Sequence, residues 1–210
     1  MAKALVLRGR PPAAAAAIER RRAELEASSA PGGAGDRTIG EHTKATSKSA
    51  PAAAFLHRLV QSLAPTSVLE MGTSVGISGA YLASALPSGG RLITLDILPM
   101  AVVTARETFR SLGLGDRAEV IEGSFADTLE PAMQRLAPID FMFIDGHHEE
   151  KATIRYLDAA IPHLAPDAVL VFDDIRWSPG MERAWAVVSA RAPGFAVALG
   201  SLGVWANAPT

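Results

Sequence analysis

From residue 67 onward the chain alternates between short apolar runs and amphipathic stretches, and this alternation restricts the fold more than any other feature. The apolar runs at 67–71, 91–96, 118–122, 139–145 and 168–173 are close to continuous. Strands that are buried on both faces read this way, because neither face has to meet water. Helical periodicity fills the gaps, at 76–86, 99–112, 127–136, 149–164 and 180–190. A βαβα pattern of this kind predicts a parallel sheet with helices on both faces, a Rossmann-like α/β three-layer sandwich. The chain finishes "GFAVALGSLGVWANAPT", with short strands at 195–199 and 202–206 around Gly200-Ser201. That spacing predicts an antiparallel hairpin closing the sheet.

Four segments precede the alternating region. Residues 13–27, after Pro12, are rich in Ala, Glu, Arg and Leu and predict a helix. Its charges leave a thin apolar face, suited to packing on the main domain or on a second copy in a homodimer. "SSAPGGAGD", residues 28–36, has the composition of a flexible linker. Residues 51–63 place Phe55, Leu59 and Leu63 at helical spacing. Between them, residues 41–49 look too hydrophilic for a core. His42, Lys44 and Lys48 there read as a solvated segment or a lid. The expected division is 1–38, helix and linker, and 39–210, one domain.

Composition excludes several function classes. The 210 residues carry a formal charge of −2 and a pI near 6.2, so no basic field points to nucleic acid or to an anionic membrane. There is no cysteine, hence no disulfide framework, thiolate metal site or cysteine nucleophile. No apolar run reaches the ~20 residues of a membrane span. In the N-terminal stretch Arg8, Arg10 and Pro11-Pro12 interrupt any signal-like apolar region, so it is read as retained and the protein as cytoplasmic.

Ligands of open parallel sheets bind beyond the carboxyl ends of the strands. Those ends carry Glu70, Gly72, Thr73, Ser74 and Gly76; Asp96 and Ile97; Gly123, Ser124 and Phe125; Asp145, Gly146, His147 and His148; and Asp173, Asp174, Arg176 and Trp177. An acid at position 96, ending the second strand, suits a ribose diol. The first turn, "EMGTSVG", is not the pyrophosphate pattern G-x-G-x-x-G. Glu70 would repel a pyrophosphate, whereas it suits an ammonium. A nucleoside with an ammonium and no phosphate describes S-adenosylmethionine better than NAD.

"VLEMGTSVGIS" with Asp96 resembles the first motif and ribose-binding acid of the class I S-adenosylmethionine-dependent methyltransferases. The resemblance runs from Pro51 to the C-terminus and implies a seven-stranded sheet in the order 3-2-1-4-5-7-6. It also implies that Glu70, Gly72, Thr73, Ser74, Gly76 and Ser78 border the methionine moiety. Asp96 with Ile97, and Gly123, Ser124 and Phe125, would border the adenosine. "DFMFIDGHHEEKATIRYLDAAIPHLAPDAVLVFDDI" is similar to the metal-dependent O-methyltransferases of the catechol and caffeoyl-CoA type. That similarity implies Asp145, Asp173 and Asp174 as ligands of Mg²⁺ or another divalent cation, Asp145 also bordering the cofactor. It implies Asp145 and His148 as the catalytic pair and a small-molecule hydroxyl as acceptor. Asp174 stands where that group carries Asn, and "FIDGHH…DDIRWSPGMERAW" also resembles a less characterised bacterial branch.

Other readings of the same residues stand beside these. The site works without metal, with His148 as base, or the chain binds S-adenosylmethionine without turnover. Asp96 caps the helix at Pro99, and one of Asp173-Asp174 caps a turn. One of His147 and His148 is structural or solvent-facing. His57 and His163 fall in predicted helices and read as surface residues. Trp177 lines an aromatic pocket or packs under its loop, and Trp185 reads as core or interface.

Overall fold

The computed structural model describes residues 12–32, 34–191 and 194–208. Residues 1–11, with most of the N-terminal stretch weighed above as a signal, lie outside them. The seven strands are β1 (Ser67–Met71), β2 (Arg91–Asp96), β3 (Ala118–Glu122), β4 (Ile139–Ile144), β5 (Leu164–Phe172), β6 (Phe195–Leu199) and β7 (Leu202–Ala206). They form one sheet in the order β3-β2-β1-β4-β5-β7-β6. The fold class and strand order expected from the sequence are both present, including the antiparallel C-terminal hairpin. The chain divides into two compact units, Met1–Thr66 with Thr73–Phe125, and Ser67–Gly72 with Ala126–Thr210.

In the first unit β2 runs parallel to β3, with Leu92 opposite Ala118 and Asp96 opposite Glu122. Helix α1 (Ala15–Glu26) buries only Ala15, Ile18 and Leu25, the thin face its charges predict. It is held by a polar contact as well: Tyr81 Oη donates to Glu19 Oε1 at 2.9 Å, and Arg22 Nε donates to Glu19 Oε2 at 2.8 Å. Burial, reinforced by Glu19, pushes the Tyr81 phenol well above its usual range.

The described residues of 28–36, which are 28–32 and 34–36, do not run free as a linker. They fold back, Ile39 N–H donating to the Ala30 carbonyl at 2.8 Å and Gly40 N–H to the Ser28 carbonyl at 3.0 Å. Helix α2 (Ile39–Thr46) follows, an element the hydrophilic composition of 41–49 hides. Its start is a capping box: Glu41 N–H donates to Thr38 Oγ1 and the Glu41 carboxylate accepts from Thr38 N–H.

Helix α3 (Ala50–Leu63) begins with Pro51 in its first turn, where no N–H is needed, and ends at Ala64 in the left-handed region. Its buried face includes Phe55, Leu56, Val60 and His57. His57 is therefore not a surface residue: Nδ1 donates to the Tyr81 carbonyl at 3.0 Å, which is how a buried imidazole is tolerated. Helices α4 (Ile77–Ala85) and α5 (Pro99–Ser111) complete the unit.

In the second unit β1 and β5 both run parallel to β4, and β5–β7 and β7–β6 are antiparallel. Leu69, Met71, Phe141, Phe143, Phe172 and Trp205 are fully buried on these strands. Each such side chain stabilises the fold by about 1.5–3 kcal/mol relative to exposure. Helices α6 (Phe125–Leu136), α7 (Glu150–Ala160) and α8 (Pro179–Ser189) alternate with them. The helix expected over 149–164 stops at Ala160. Pro162 cannot donate to a continuing α-helical ladder, and a single 3₁₀ turn, Ile161–His163, leads into a longer β5. Trp185 is half-buried: its ring packs on Phe172, and a side chain at Gly203 would meet it within 2.4 Å.

Candidate active site

The first unit carries the turn between β1 and α4 and the acid that ends β2. Ser74 has φ +46°, a strained value for a residue with a Cβ. Three hydrogen bonds hold it there. Its N–H donates to Asp96 Oδ2 at 2.7 Å, its Oγ pairs with Thr46 Oγ1 at 2.6 Å, and His42 Nε2 lies 3.2 Å from the same Oγ. Asp96 Oδ1 accepts from Leu98 N–H at 3.0 Å. Both carboxylate oxygens are thus aimed by backbone donors, and each keeps a further lone pair for a ligand hydroxyl. Asp96 does cap the turn into α5.

Thr73 is fully buried, with its hydroxyl 2.6 Å from Thr94 Oγ1 on β2 and its N–H on the Leu95 carbonyl at 3.2 Å. The structure therefore makes it a fastener of the turn, its side chain turned to β2. Gly76 caps α4 against Ala105, where a Cβ would come within 3.1 Å of backbone. Ser78 is buried in α4. Ile97 is exposed at the start of the β2–α5 connection, and Gly123, Ser124 and Phe125 are partly exposed after β3.

His42 is 3% exposed, which corrects its reading as part of a solvated segment. Burial holds its pKa below the usual histidine value, with Asp96 opposing and Arg37 adding to the effect. Sequence reasoning missed this residue as a partner of the turn. The capping box Thr38-x-x-Glu41 was the available signal that 39–46 is a helix able to hold one.

The second unit carries Glu70, Gly72 and the turns after β4 and β5. Glu70 is fully buried on β1, in register with Phe143. Gly72 has φ +95°, and a Cβ there would lie 2.1 Å from the Asp145 carbonyl oxygen. Asp145 N–H donates to the Met71 carbonyl at 2.9 Å, so the two turns run tightly together.

His147 and His148 both adopt positive φ, +63° and +45°. The structure separates their roles. His147 Nδ1 pairs with Tyr156 Oη and its ring stacks on that phenol, which makes it structural. The Tyr156 phenol is pushed up by burial. His148 turns to the carboxylates, with Nε2 3.6 Å from Asp145 Oδ1 and 4.0 Å from Asp174 Oδ2.

Asp173 is buried and Asp174 has φ +51°. Among the described residues no three His, Asp or Glu side chains are arranged to hold a metal ion. The carboxylate oxygens of Asp145, Asp173 and Asp174 have the chemistry a hard cation wants, but an imidazole, not a gap between oxygens, faces Asp145 and Asp174. Trp177, three residues after Asp174, is 71% exposed.

Known proteins share this arrangement of elements. The profile of a methyltransferase domain family matches residues 69–175. A catechol O-methyltransferase of Mycobacterium tuberculosis is 35% identical over 121 residues, 58% of this chain and 53% of that protein. A catechol O-methyltransferase of Niastella koreensis is 31% identical over 122 residues, 58% of this chain and 54% of its own. The chain thus spans about half the length of the curated relatives it matches. An O-methyltransferase from Bacillus cereus, solved in complex with SAH, superposes with a TM-score of 0.72 at 24% identity, over 94% of this chain and 91% of its own, and carries the same fold. Because the family match covers more than half of the sequence and includes Glu70, Asp96, Asp145, His148 and Asp174, the chain belongs to the class I S-adenosylmethionine-dependent methyltransferases.

Proposed function

We propose that this protein is an O-methyltransferase that passes the methyl group of S-adenosylmethionine to a hydroxyl of a small acceptor, with His148 taking the hydroxyl proton. The observation that carries this reading is the setting of His148, held by two consecutive left-handed residues against Asp145 and Asp174. The cofactor supplies a methyl on a sulfonium; as the carbon–sulfur bond breaks and the carbon–oxygen bond forms, sulfur becomes a neutral thioether and the acceptor must lose a proton.

The residues of the chain fit that chemistry. Asp96, with both oxygens oriented by backbone N–H groups, accepts from a ribose diol. Gly72 keeps the turn free of a side chain, and Glu70 provides the negative charge that suits an ammonium. Gly76 and Ser78 open α4 on the methionine side, Thr73 and Ser74 shape the turn, and Ile97, Gly123, Ser124 and Phe125 border the base. His148 receives the acceptor proton on Nε2, and the Asp145 and Asp174 carboxylates pair with the imidazolium so formed. Most of the rate comes from holding methyl and oxygen in line.

The names of the relatives favour a catechol as the acceptor to try first, and exposed Trp177 offers it an aromatic face. A divalent cation on Asp145, Asp173 and Asp174 would acidify such a diol. The donor set is not gathered for one, so no step is assigned to it. The remaining expectations, a cytoplasmic enzyme acting on a small molecule without nucleic acid and with homodimer formation through α1, are part of this proposal. No helix among the described residues is long and apolar enough to cross a membrane.

The test is methyl transfer to catechol and to a panel of phenols and alcohols, with and without EDTA, by wild type and His148→Gln. Transfer that survives EDTA and falls about 10²–10⁴-fold in His148→Gln supports the reading. Loss of transfer in EDTA assigns deprotonation to a cation instead. Cofactor binding with no transfer to any acceptor leaves a binding protein without turnover.

A further inference from the structure

The turn that carries Ser74, and is bonded through it to Asp96, is clasped from outside the family-matched region, by α2. The hydrogen bonds of the clasp close on themselves and fix one tautomer. Ala34 N–H donates to His42 Nδ1 at 3.4 Å, so the ring proton sits on Nε2 and is donated to Ser74 Oγ at 3.2 Å. Thr46 Oγ1 donates to the His42 carbonyl at 2.9 Å and therefore accepts from Ser74 Oγ at 2.6 Å. Ser74 in turn gives its N–H to Asp96. A neutral histidine is required throughout, because an imidazolium would present a second N–H to the Ala34 donor.

We propose that His42 is a positioning residue for the cofactor turn, and that its protonation unclasps α2 and weakens binding of S-adenosylmethionine and its product. The inference rests on the cofactor reading of Ser74 and Asp96 and adds to it a pH-sensitive element. The charged groups acting on His42 are identifiable on every side. Asp96, ending β2, favours the imidazolium, while Arg37, preceding α2, opposes it. On α2 itself Glu41 is engaged by Thr38 and Lys44 is exposed. The end of α1 and the residues after it meet α2 through the Glu26 and Ser28 carbonyls, at Gly40. Burial outweighs the single favourable carboxylate, so the clasp is closed near neutral pH and opens as the medium turns acidic.

The experiment is calorimetric titration of the full chain with S-adenosylhomocysteine between about pH 8 and about pH 5, with amide hydrogen exchange of residues 39–47 followed over the same range. His42→Gln keeps an N–H near the Nε2 position but takes up no proton, and His42→Ala removes the clasp. The wild type is expected to lose about tenfold more affinity on acidification than His42→Gln, which follows from two hydrogen bonds of ordinary strength. Exchange of α2 should rise in parallel. His42→Ala should bind about tenfold more weakly even near pH 8.

Parallel pH profiles for wild type and His42→Gln would overturn the role of His42 even if His42→Ala were too unstable to study, since a purely structural histidine leaves those profiles parallel. Absence of S-adenosylhomocysteine binding by the wild type at every pH would instead overturn the cofactor reading and the inference with it.

Discussion

Replacing Gly72 with Ala tests the close approach on which the candidate active site depends. A Cβ at this position would stand 2.1 Å from the Asp145 carbonyl oxygen, a backbone atom that cannot rotate away. Relief requires the turns after β1 and β4 to separate by roughly 1 Å, since carbon and oxygen do not pack closer than about 3 Å. That movement strains the 2.9 Å bond from Asp145 N–H to the Met71 carbonyl, worth about 1 kcal/mol. Overpacking adds about 1–3 kcal/mol, and the positive φ of +95° adds about 1 kcal/mol more for any residue with a Cβ. The expected destabilisation is about 3–5 kcal/mol. Gly89→Ala is the control, because Gly89 shares a positive φ of +79° but a Cβ there would meet nothing within 4 Å. It should cost about 1 kcal/mol. Urea denaturation of both variants gives the difference directly from midpoint and slope. If Gly72→Ala lies within about 1 kcal/mol of Gly89→Ala, the turns are not in the contact described, and the glycine there has no steric reason.

Three further outcomes follow from single contacts. Tyr81→Phe removes the donor to Glu19 and should cost about 1–3 kcal/mol, read by urea denaturation, with α1 becoming sensitive to protease. Stability should fall on acidification through the histidine range, for a reason with a definite sign. Burial lowers the folded-state pKa of His42 and of His57 below the 6.5 of a free side chain, so the unfolded chain binds the extra protons. Their contribution is fully present above about pH 6.5 and is lost as pH falls toward the folded values; midpoints that are flat with pH there would contradict it. Asp96→Asn should weaken S-adenosylhomocysteine binding more than tenfold in calorimetry, because the amide replaces one ribose acceptor with a donor and also loses a charged acceptor for Ser74 or Leu98.

Most of the sheet was legible because buried parallel strands have little freedom in composition. β1, β2, β3, β6 and β7 fall where the apolar runs and the Gly200-Ser201 turn place them, and the other strands and the helices alternating with them shift only at their ends. The shifts have local causes, such as Pro162 ending α7 early. His57 was misread for a different reason. A helix face that is apolar by composition can still bury an imidazole if a carbonyl lies opposite, and the Tyr81 carbonyl that makes this possible is 24 residues away in sequence. No periodicity in residues 51–63 contains that information.

The candidate site divides along the same line. Glycine, acid and histidine types at strand ends are visible in sequence because the chemistry of a turn restricts which residues occupy it. What those residues touch is not. Thr73 and Ser74 are adjacent and chemically alike, yet one is turned to Thr94 and the other to Thr46 and His42. His147 and His148 are identical, yet one stacks on Tyr156 while the other faces Asp145 and Asp174. In both pairs the backbone decides: Ser74, His147 and His148 all stand at positive φ, where a one-residue step reverses the direction of the side chain. Each of these residues has a Cβ and therefore costs about 1 kcal/mol or more relative to an ordinary conformation. The surrounding hydrogen bonds must offset that cost, which is why Asp96 from the end of β2 and His42 and Thr46 from α2 converge on Ser74. A turn strained in this way is only as stable as its partners, and so α2, outside the segment that identifies the family, helps to hold the Ser74 turn in shape.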